Sequence, residues 1–378
     1  MRRLAQLFWE LFKISLFVVG GGYAIIVVAD DVFAKRGWTK EGEIVGQLPV
    51  FQMVPGIIAT HVAVYVGSKV AGRIGAAVGV AAVALPSVII FTLVSMGYDS
   101  LPLDSPRLVS AFTGLRAALA GVVAATVIRG WRKNVGSVFA YAVVAAAVVA
   151  IGFFGVPVAW VILAAMALGL VVPAAGAAAA PSHGEGQPPR RFRSSWLPLL
   201  LFLKYGALCF GGGFVLVPMY VQDFVGPGAA WLQISSEEFA NLMALTQMTP
   251  GPIGVNGATF FGYRLAGVPG AVMASAALLL PGSLVLYFVL RSLERFRENR
   301  IVRGIMRGAR PASVALMLCA LWAFGSMCWW RPGADGAGTA FSAVAIAISA
   351  SVAVAMVKWR PNVMAHIFLC ALVAAVCG

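Results

Sequence analysis

The most constraining feature of the chain is a glycine and proline pattern that occurs twice within strongly apolar sequence. The first copy comprises Gly20, Gly21, Gly22, Gln52, Pro55 and Gly56, and the second comprises Gly211, Gly212, Gly213, Gln247, Pro250, Gly251 and Pro252. Prolines that flank a glycine cannot continue a helix, and backbone groups that a break frees find no water inside hydrocarbon. Interrupted helices at matching places in two halves are typical of the substrate site of a secondary transporter. The pattern therefore predicts a transporter.

The composition predicts a membrane protein. Of 378 residues, 61% are hydrophobic and 11% charged, whereas soluble domains are about half apolar and a quarter charged. The net charge of +14 is concentrated in short loops beside apolar segments, which is typical of cytoplasmic loops and not of a nucleic-acid-binding surface. The five cysteines form no CxxC pair, so we expect no metal site, and no cofactor motif is present.

The two copies belong to an internal duplication. Residues 52–75 align with residues 247–270 at a constant spacing of 195, and 10 of these 24 positions are identical. Such self-similarity indicates two repeats. We place the first repeat at residues 1–175, a polar linker at 176–195 and the second repeat at 196–378.

Apolar segments predict the membrane crossings. We expect helices at residues 6–29, 73–97, 108–128, 135–151, 157–174, 197–221, 268–290, 310–330, 339–357 and 362–377. Segments 44–70 and 238–264 carry the proline–glycine breaks and are either plain spans or re-entrant hairpins. Re-entrant hairpins place nineteen Lys and Arg residues on one side and five on the other, which the positive-inside rule favours. The predicted fold is thus an all-α polytopic membrane protein, an inverted repeat with about five crossings and one broken hairpin per half.

Several polar residues are candidates for binding an anion. An opened helix at each glycine triplet or proline–glycine tip offers free amide donors and a partial positive charge, although a triplet also suits close helix packing. Gln52, Gln247 and Asn256 add amide donors. Lys13 and Lys204 supply balancing charge within apolar segments, unless they extend to the interface. Arg116 and Arg310 have guanidinium groups that suit tetrahedral oxyanions, but they are equally suited to anchor the ends of spans.

Five further residues are candidates for carrying charge or protons. Histidine titrates near neutral pH, so His61, at the position that matches Asn256, is one of them. Asp31, Asp223, Glu43 and Glu238 lie at matching places near the hairpins. Solvated loop charges are the alternative explanation for these carboxylates.

These residues together resemble the chromate ion transporter family. The second half carries the closer match, with Lys204, Phe210-Gly-Gly-Gly, Gln247-x-x-Pro-Gly-Pro and Asn256, and the first half retains Lys13, Gly20-Gly-Gly-Tyr23, Gln52-x-x-Pro-Gly56 and Leu85-Pro-Ser87. The first half departs from the pattern at Ile57, His61 and Val19. The resemblance implies two fused units of opposite orientation and export of chromate linked to the proton-motive force, with sulfate as the chemically similar ion.

The expected function is therefore secondary transport of a tetrahedral divalent oxyanion across the plasma membrane, most simply chromate efflux by alternating access. The expected partners are chromate or sulfate and the lipid bilayer, with no nucleic acid. Coupled protons and a homodimer are left open. The alternatives are a sulfate or other anion permease and a non-transport assembly or lipid-scaffold protein. No hydrolase or nucleotide-binding motif occurs in a credible context, so an enzyme is not expected.

Overall fold

The computed structural model describes residues 2–17, 22–98, 105–152, 154–171, 197–210, 213–226, 229, 231–291, 300–332, 339–358, 369, 370 and 372. The predicted linker lies outside these residues, as do Gly20, Gly21, Gly211 and Gly212 and nearly all of the crossing expected at 362–377.

The described residues are almost entirely helical, which confirms the predicted all-α class. The helices are α1 Arg2–Phe17, α2 Gly22–Lys35, α3 Glu43–Gly46, α4 Leu48–Met53, α5 Ile58–Tyr98, α6 Pro106–Asn134, α7 Val138–Gly152, α8 Val158–Val171, α9 Leu197–Leu208, α10 Val217–Phe224, α11 Ser236–Met248, α12 Ile253–Arg291, α13 Arg300–Trp329 and α14 Ala343–Lys358. A 3₁₀ turn at Gly213–Leu216 precedes α10, and two short antiparallel strands, β1 Trp330–Pro332 and β2 Thr339–Phe341, follow α13.

Four of the described helices are long and apolar enough to cross a bilayer, so the protein is embedded in a membrane. They are Ile58–Tyr98, Val109–Arg132, Ile253–Arg291 and Arg300–Ser326. The described α7, α8, α9 and α14 are apolar but shorter. Five crossings per half therefore stay a prediction.

Some predicted helix limits were wrong. The expected crossing at 197–221 ends as a helix at Leu208, because the sequence Phe210-Gly-Gly-Gly follows at once. The crossing expected at 310–330 begins ten residues earlier, at Arg300. The first turns of α13 carry arginines, so they lack the apolar pattern from which the crossing was predicted. The one expected at 339–357 begins only at Ala343, because residues 339–341 pair with Trp330–Pro332 as strands.

The chain forms two compact units, and each takes segments from both sequence repeats. The first unit contains residues 1–99, 191–216 and 249–306, and the second contains residues 100–190, 217–248 and 307–378. The predicted repeat boundaries follow sequence similarity and stay a prediction.

In the first unit, α5 and α12 are each two helical arms joined by a tight reversal. Ala71 and Gly72 leave helical geometry in α5, and Ala266 and Gly267 do so in α12 with nearly the same angles, φ being 59° at Gly72 and 63° at Gly267. Only glycine adopts such positive φ without strain. We name the arms α5a (residues 58–70), α5b (73–98), α12a (253–265) and α12b (268–291).

Glycines allow the two arms of each hairpin to pack backbone against backbone. A Cβ built on Gly67 would lie 2.2 Å from the carbonyl oxygen of Gly75, and one on Gly262 would lie 2.4 Å from that of Gly270. Real Cβ atoms do not approach oxygen this closely, so glycine is required at both positions. The sequence identity at these positions thus reflects an identical packing requirement in both repeats.

The two repeats also pack their preceding helices in the same way. The Ser15 hydroxyl of α1 donates to the Val83 carbonyl of α5b at 2.8 Å. At the matching place, Gly206 of α9 lies against the Leu278 carbonyl of α12b, 2.2 Å from the position of an added Cβ. Val83 and Leu278 are separated by the repeat spacing of 195.

The segment before α5a runs back along it. The Glu43 carboxylate accepts hydrogen bonds from Tyr65 and Lys69, whereas the Phe51 carbonyl lies 2.9 Å from Nδ1 of His61. Residues 43–53 and 58–70 therefore form an antiparallel hairpin whose tip lies at residues 54–57. This geometry is that of a hairpin and not of a straight helix through residues 44–70.

The matching long arms run in opposite directions. Ser87 of α5b lies beside Gly251, at the start of α12a, and the Tyr98 ring lies 6.1 Å from that of Phe260 further along α12a. Arm α5b is therefore parallel to α12a. Since α12b reverses after Gly267, α5b and α12b are antiparallel.

The second unit is held by helix pairs with small residues at their contacts. The Ser349 hydroxyl of α14 lies 2.8 Å from the Ala117 carbonyl of α6, and Trp329 Nε1 donates to Ser349 at 3.0 Å. A Cβ on Gly308 of α13 would lie 1.7 Å from the Ala165 carbonyl of α8.

Glycine-to-alanine substitutions test the two reversals. Gly67→Ala and Gly262→Ala should each destabilise the protein by about 1–3 kcal/mol, because the new methyl group overpacks a backbone contact. Gly97→Ala is the control, since a Cβ at Gly97 meets nothing within 4 Å. Thermal unfolding of purified protein in detergent measures the effect. Equal melting temperatures for Gly67→Ala and Gly97→Ala would contradict the packing described.

Candidate functional site

Two glycine–proline tips meet in the first unit. The first tip is residues 54–57 and the second tip is residues 249–252. Gly56 has φ of 126° and Gly251 has φ of 107°, conformations that L side chains rarely adopt. The tips are adjacent, because the Ile57 side chain lies 3.0 Å from the position of a Cβ on Gly254, just after the second tip.

Each tip packs on the long arm of the other repeat. A Cβ on Gly282 of α12b would lie 2.4 Å from the Pro55 carbonyl oxygen of the first tip. A Cβ on Gly251 of the second tip would lie 2.2 Å from the Ser87 hydroxyl of α5b. Gly282 and Ser87 occupy matching positions, one residue after Pro281 and Pro86. The contact is therefore made twice, with the roles of the repeats exchanged.

The glycine break after α9 contacts the first tip and the start of α12a, just after the second tip. The amide of Gly56 donates to the Cys209 carbonyl at 2.7 Å. A Cβ on Gly213 would lie 2.9 Å from the amide nitrogen of Gly254. In the first repeat, Gly22 begins α2. Of the glycines predicted to form a site, Gly56, Gly213 and Gly251 are thus brought together.

His61 closes the first tip with its own backbone contacts. The imidazole is fully buried, with Nδ1 2.9 Å from the Phe51 carbonyl oxygen and Nε2 3.2 Å from the Pro55 carbonyl oxygen. Phe51 lies in α4, just before the tip, and Pro55 lies within the tip. A neutral imidazole has one N–H and donates to one of these two carbonyls, and its packing between them fixes the tip. This position is a structural lock as well as the predicted candidate for carrying a proton.

The amide side chains occupy different environments. Asn256 is fully buried in α12a and its Nδ2 donates to the Thr249 carbonyl over a long 3.4 Å. Gln247 is buried near the end of α11, in the second unit, and its Nε2 has no hydrogen-bond partner within the described residues. Gln52 is half-buried near the end of α4. Only Gln52 and Asn256 therefore share a unit with the tips.

The two lysines differ in their surroundings. Lys13 forms an ion pair of 2.9 Å with Glu10, which also accepts a hydrogen bond from Arg36. Leu201 occupies the position of Glu10 in the second repeat. Lys204 is exposed and its Nζ lies 5.0 Å from the centre of the Tyr205 ring. Lys204 lies about 6 Å along the helix from the end of α9 at Leu208.

The carboxylate candidates Asp31 and Glu43 each pair with a lysine. Asp31 pairs with Lys35 at 2.8 Å, with both side chains largely exposed. Burial alone would raise the pKa of Glu43, but hydrogen bonds from the Lys40 amide and from the Lys69 and Tyr65 side chains outweigh it and lower the pKa to about 2. A group with this pKa stays ionised throughout the neutral range, which argues for an anchor of the hairpin and against a proton carrier.

The remaining candidates belong to the second unit. Asp223 lies near the end of α10, where its carbonyl accepts a hydrogen bond from the Trp231 amide at 3.1 Å. The Glu238 amide is capped by the Ser235 hydroxyl at 3.0 Å at the start of α11. Arg116 is buried and donates to Asn241 and Glu237, both at 2.6 Å, whereas Arg310 is exposed.

Comparison with known proteins places the chain in a family. A family model described as "Chromate transporter" matches residues 5–170 and again residues 196–377. The chain belongs to the chromate transporter family. The resemblance seen in the sequence is thereby confirmed.

Three relatives illustrate the range of this family. The chain is 29% identical over 167 residues to the uncharacterized transporter YwrA of Bacillus subtilis, covering 43% of this chain and 88% of that protein. It is 27% identical to the probable chromate transport protein of Synechococcus elongatus, covering 82% of this chain and 81% of that protein. It is 26% identical to the chromate transport protein of Cupriavidus metallidurans, covering 82% of this chain and 80% of that protein. No solved structure matches the chain.

Sequence reasoning missed three residues of this chromate transporter family member. Asp30, and not Asp31, holds the start of α3, accepting from the amides of Gly42 and Ile44 at 2.7 and 2.8 Å. Glu10 pairs with two cations, and buried Ser87 faces the second tip. A polar residue within an apolar segment was the available signal for Glu10 and Ser87, but their partners are distant in sequence.

Substitution of the two matching arginines tests their different environments. Arg116→Ala should destabilise the protein by about 1–3 kcal/mol, because Asn241 is left buried without its donor. Arg310→Ala, at the exposed matching position, should change stability by less than about 0.5 kcal/mol. Thermal unfolding in detergent distinguishes them. A larger effect of Arg310→Ala would show that Arg116 is not the buried anchor.

Proposed function

We propose that the protein is a secondary transporter that exports a tetrahedral divalent oxyanion, chromate, with sulfate as a competing ion of the same shape and charge. The observation that carries the proposal is the meeting of two broken hairpin tips with the break after α9, in a member of the chromate transporter family. Binding sites of secondary transporters lie at such repeat interfaces.

The tips supply groups that suit an anion. Helical arms α5a and α12a begin at Ile58 and Ile253, directly after the tips. The Thr60 and His61 amides already donate to the Ile57 carbonyl, and those of Val255 and Asn256 to the Pro252 carbonyl. The start of each arm nevertheless carries partial positive charge that favours an anion. Asn256 adds an uncharged donor beside the second tip, and Lys204 lies on the helix that ends at the break. A dianion is thereby surrounded by donors, with a positive charge within about two helical turns.

Opposed arms support an inverted repeat and alternating access. Arms α5b and α12b are antiparallel although they are equivalent in sequence, and each holds the tip of the other repeat. A pair of inverted repeats that grip a shared site near the bilayer midplane exposes it to either side when one repeat moves against the other. The expected location is the plasma membrane, with several crossings.

The direction follows from charge. With a negative cell interior, export of a dianion is favoured by about 4.6 kcal/mol at 100 mV. This driving force does not require a proton. Export along the voltage with no coupled proton is thus the simplest mechanism, and proton coupling is the measurable alternative.

Flux in proteoliposomes tests the function. We expect saturable uptake or release of radiolabelled chromate that responds to an imposed voltage and is blocked by excess sulfate. Voltage and pH gradients are varied separately, so that a response to pH alone reveals proton coupling. No flux of either ion from well-folded protein would contradict oxyanion transport and favour the alternative of a membrane scaffold.

Two substitutions test the residues that the proposal assigns to the anion. Lys204→Ala and Asn256→Ala should each reduce kcat/KM for chromate by about tenfold or more, because each removes a donor or charge worth at least about 1.4 kcal/mol to a bound anion. Gln233→Ala, on an exposed loop residue, is the control. Unchanged flux in both variants, at equal amounts of folded protein, would refute the site.

The inverted arrangement has its own test. Single cysteines in the loops at residues 36–42 and 231–235 should react with a membrane-impermeant thiol reagent from opposite sides of the membrane. Reaction from the same side would require parallel repeats. The background is a variant without the natural cysteines, and its flux must match that of the original protein.

A further inference from the structure

The two tips are not chemically equivalent, although the chain makes the same contact twice. At the first tip, the pair of residues that faces the tip glycine is His61 and Gly282. At the second tip, the matching pair is Asn256 and Ser87. The first tip therefore has a large side chain, His61, and no side chain at Gly282. The second tip has a smaller side chain, Asn256, and the hydroxyl of Ser87.

At the first tip, the Gly56 amide donates to the Cys209 carbonyl, and the His61 ring lies against the backbone of the tip. The His61 ring reaches back over Gly56, with Nε2 2.8 Å from the position of a Cβ there, and both ring nitrogens face backbone carbonyls. Gly282 brings no polar side chain and packs directly on Pro55. The imidazole therefore occupies the space beside the tip glycine.

The second tip leaves a buried donor available. Ser87 is fully buried, and its Oγ has no hydrogen-bond partner within the described residues. The hydroxyl lies against the backbone of Gly251, 2.2 Å from the position of a Cβ. Buried hydroxyls nearly always have a partner, and an unsatisfied one destabilises a protein. On the other side, the side-chain oxygen Oδ1 of Asn256 lies 3.1 Å from the same Cβ position, and its Nδ2 donates to the Thr249 carbonyl at 3.4 Å.

We propose that the oxyanion subsite lies at the second tip alone, and that the Ser87 hydroxyl of the first repeat donates to the anion there beside the start of α12a. This inference rests on the proposed function and names the donor set of its site. The first repeat contributes the hydroxyl and the second contributes the tip. His61 locks the first tip in place and does not bind the ion.

The division has a steric reason. The hydroxyl approaches the tip only because residue 251 is glycine, and any side chain there would displace Ser87. At the first tip the equivalent approach is used for backbone packing, since the Pro55 carbonyl lies where a side chain at residue 282 would project. One tip therefore has room for a donor and the other does not.

Ser87→Ala tests the donor, with Ser95→Ala as the matched control. Ser95 lies two turns further along α5b, is also buried, and its Oγ likewise has no partner within the described residues. Full-length variants are reconstituted in proteoliposomes and the KM for radiolabelled sulfate and chromate is measured. Ser87→Ala should raise KM about tenfold or more through loss of a hydrogen bond to a charged group, and Ser95→Ala should leave KM unchanged.

Stability separates a binding role from a structural one. Without anion, Ser87→Ala should melt at the same temperature as the original protein or higher, because it removes an unsatisfied buried hydroxyl. Sulfate should raise the melting temperature of the original protein and of Ser95→Ala, but much less that of Ser87→Ala. An unchanged KM for Ser87→Ala overturns the proposal, whatever the melting temperature of the variant.

Exchange of the tip residues tests the restriction to one tip. The double variant Ser87→Gly with Asn256→His gives the second tip the residues of the first, and it should lose stabilisation by sulfate while remaining folded. His61→Asn should act mainly by lowering the melting temperature. A rise in KM for His61→Asn as large as that for Ser87→Ala would overturn the assignment to the second tip. Absence of flux in the original protein would instead refute the proposed function itself.

Discussion

The structure depends on how backbone groups are satisfied where helices break inside an apolar protein. A break in hydrocarbon leaves amides and carbonyls that cannot be hydrated, so another part of the protein must supply their partners. Here the amide of Gly56 is bound by the Cys209 carbonyl, which is itself freed by the end of α9. One break thus satisfies another. This exchange brings segments more than 150 residues apart in sequence to one place and positions the tips beside each other.

Glycine makes this exchange sterically feasible. Gly67 and Gly75 close the first hairpin, Gly262 and Gly270 close the second, and Gly282 receives the first tip. Each contact is so close that a methyl group would separate the backbones. The repeated glycines are therefore explained by packing as much as by freedom of the chain. A glycine in this chain therefore does not by itself mark an opened helix, since glycine allows close contact at some positions and positive φ at others.

Much of the local structure could be predicted from the sequence, because it depends on local chemistry. The predicted segments 44–70 and 73–97 meet at the observed reversal, Ala71-Gly72. The proline–glycine pairs picked out in the sequence occur at the observed tips. The two strands after Trp329 and the early start of α13 were not predicted, since short strands within apolar sequence lack a distinct pattern. The partners of Glu10, Asp30 and Ser87 could not be predicted from the sequence for another reason. Each depends on a contact with a distant segment, and single-sequence periodicity carries no information on which segments meet.

Duplication followed by divergence gives a physical account of why the tips differ. In a repeat pair that shares one central site, two identical anion-binding tips would place two sets of donors around one ion. Once one tip supplies sufficient donors, the other is free to improve packing. The first repeat carries the signs of this change: Lys13 is ion-paired with Glu10, and the His61 ring lies against its own tip. At the matching positions the second repeat has Leu201, which carries no charge to pair with Lys204, and Asn256, whose contact with its own tip is a long bond to the Thr249 carbonyl. The departures from the family pattern in the first half are thus the substitutions expected of a repeat that supports the proposed site, while the second repeat supplies the tip to which we assign the ion.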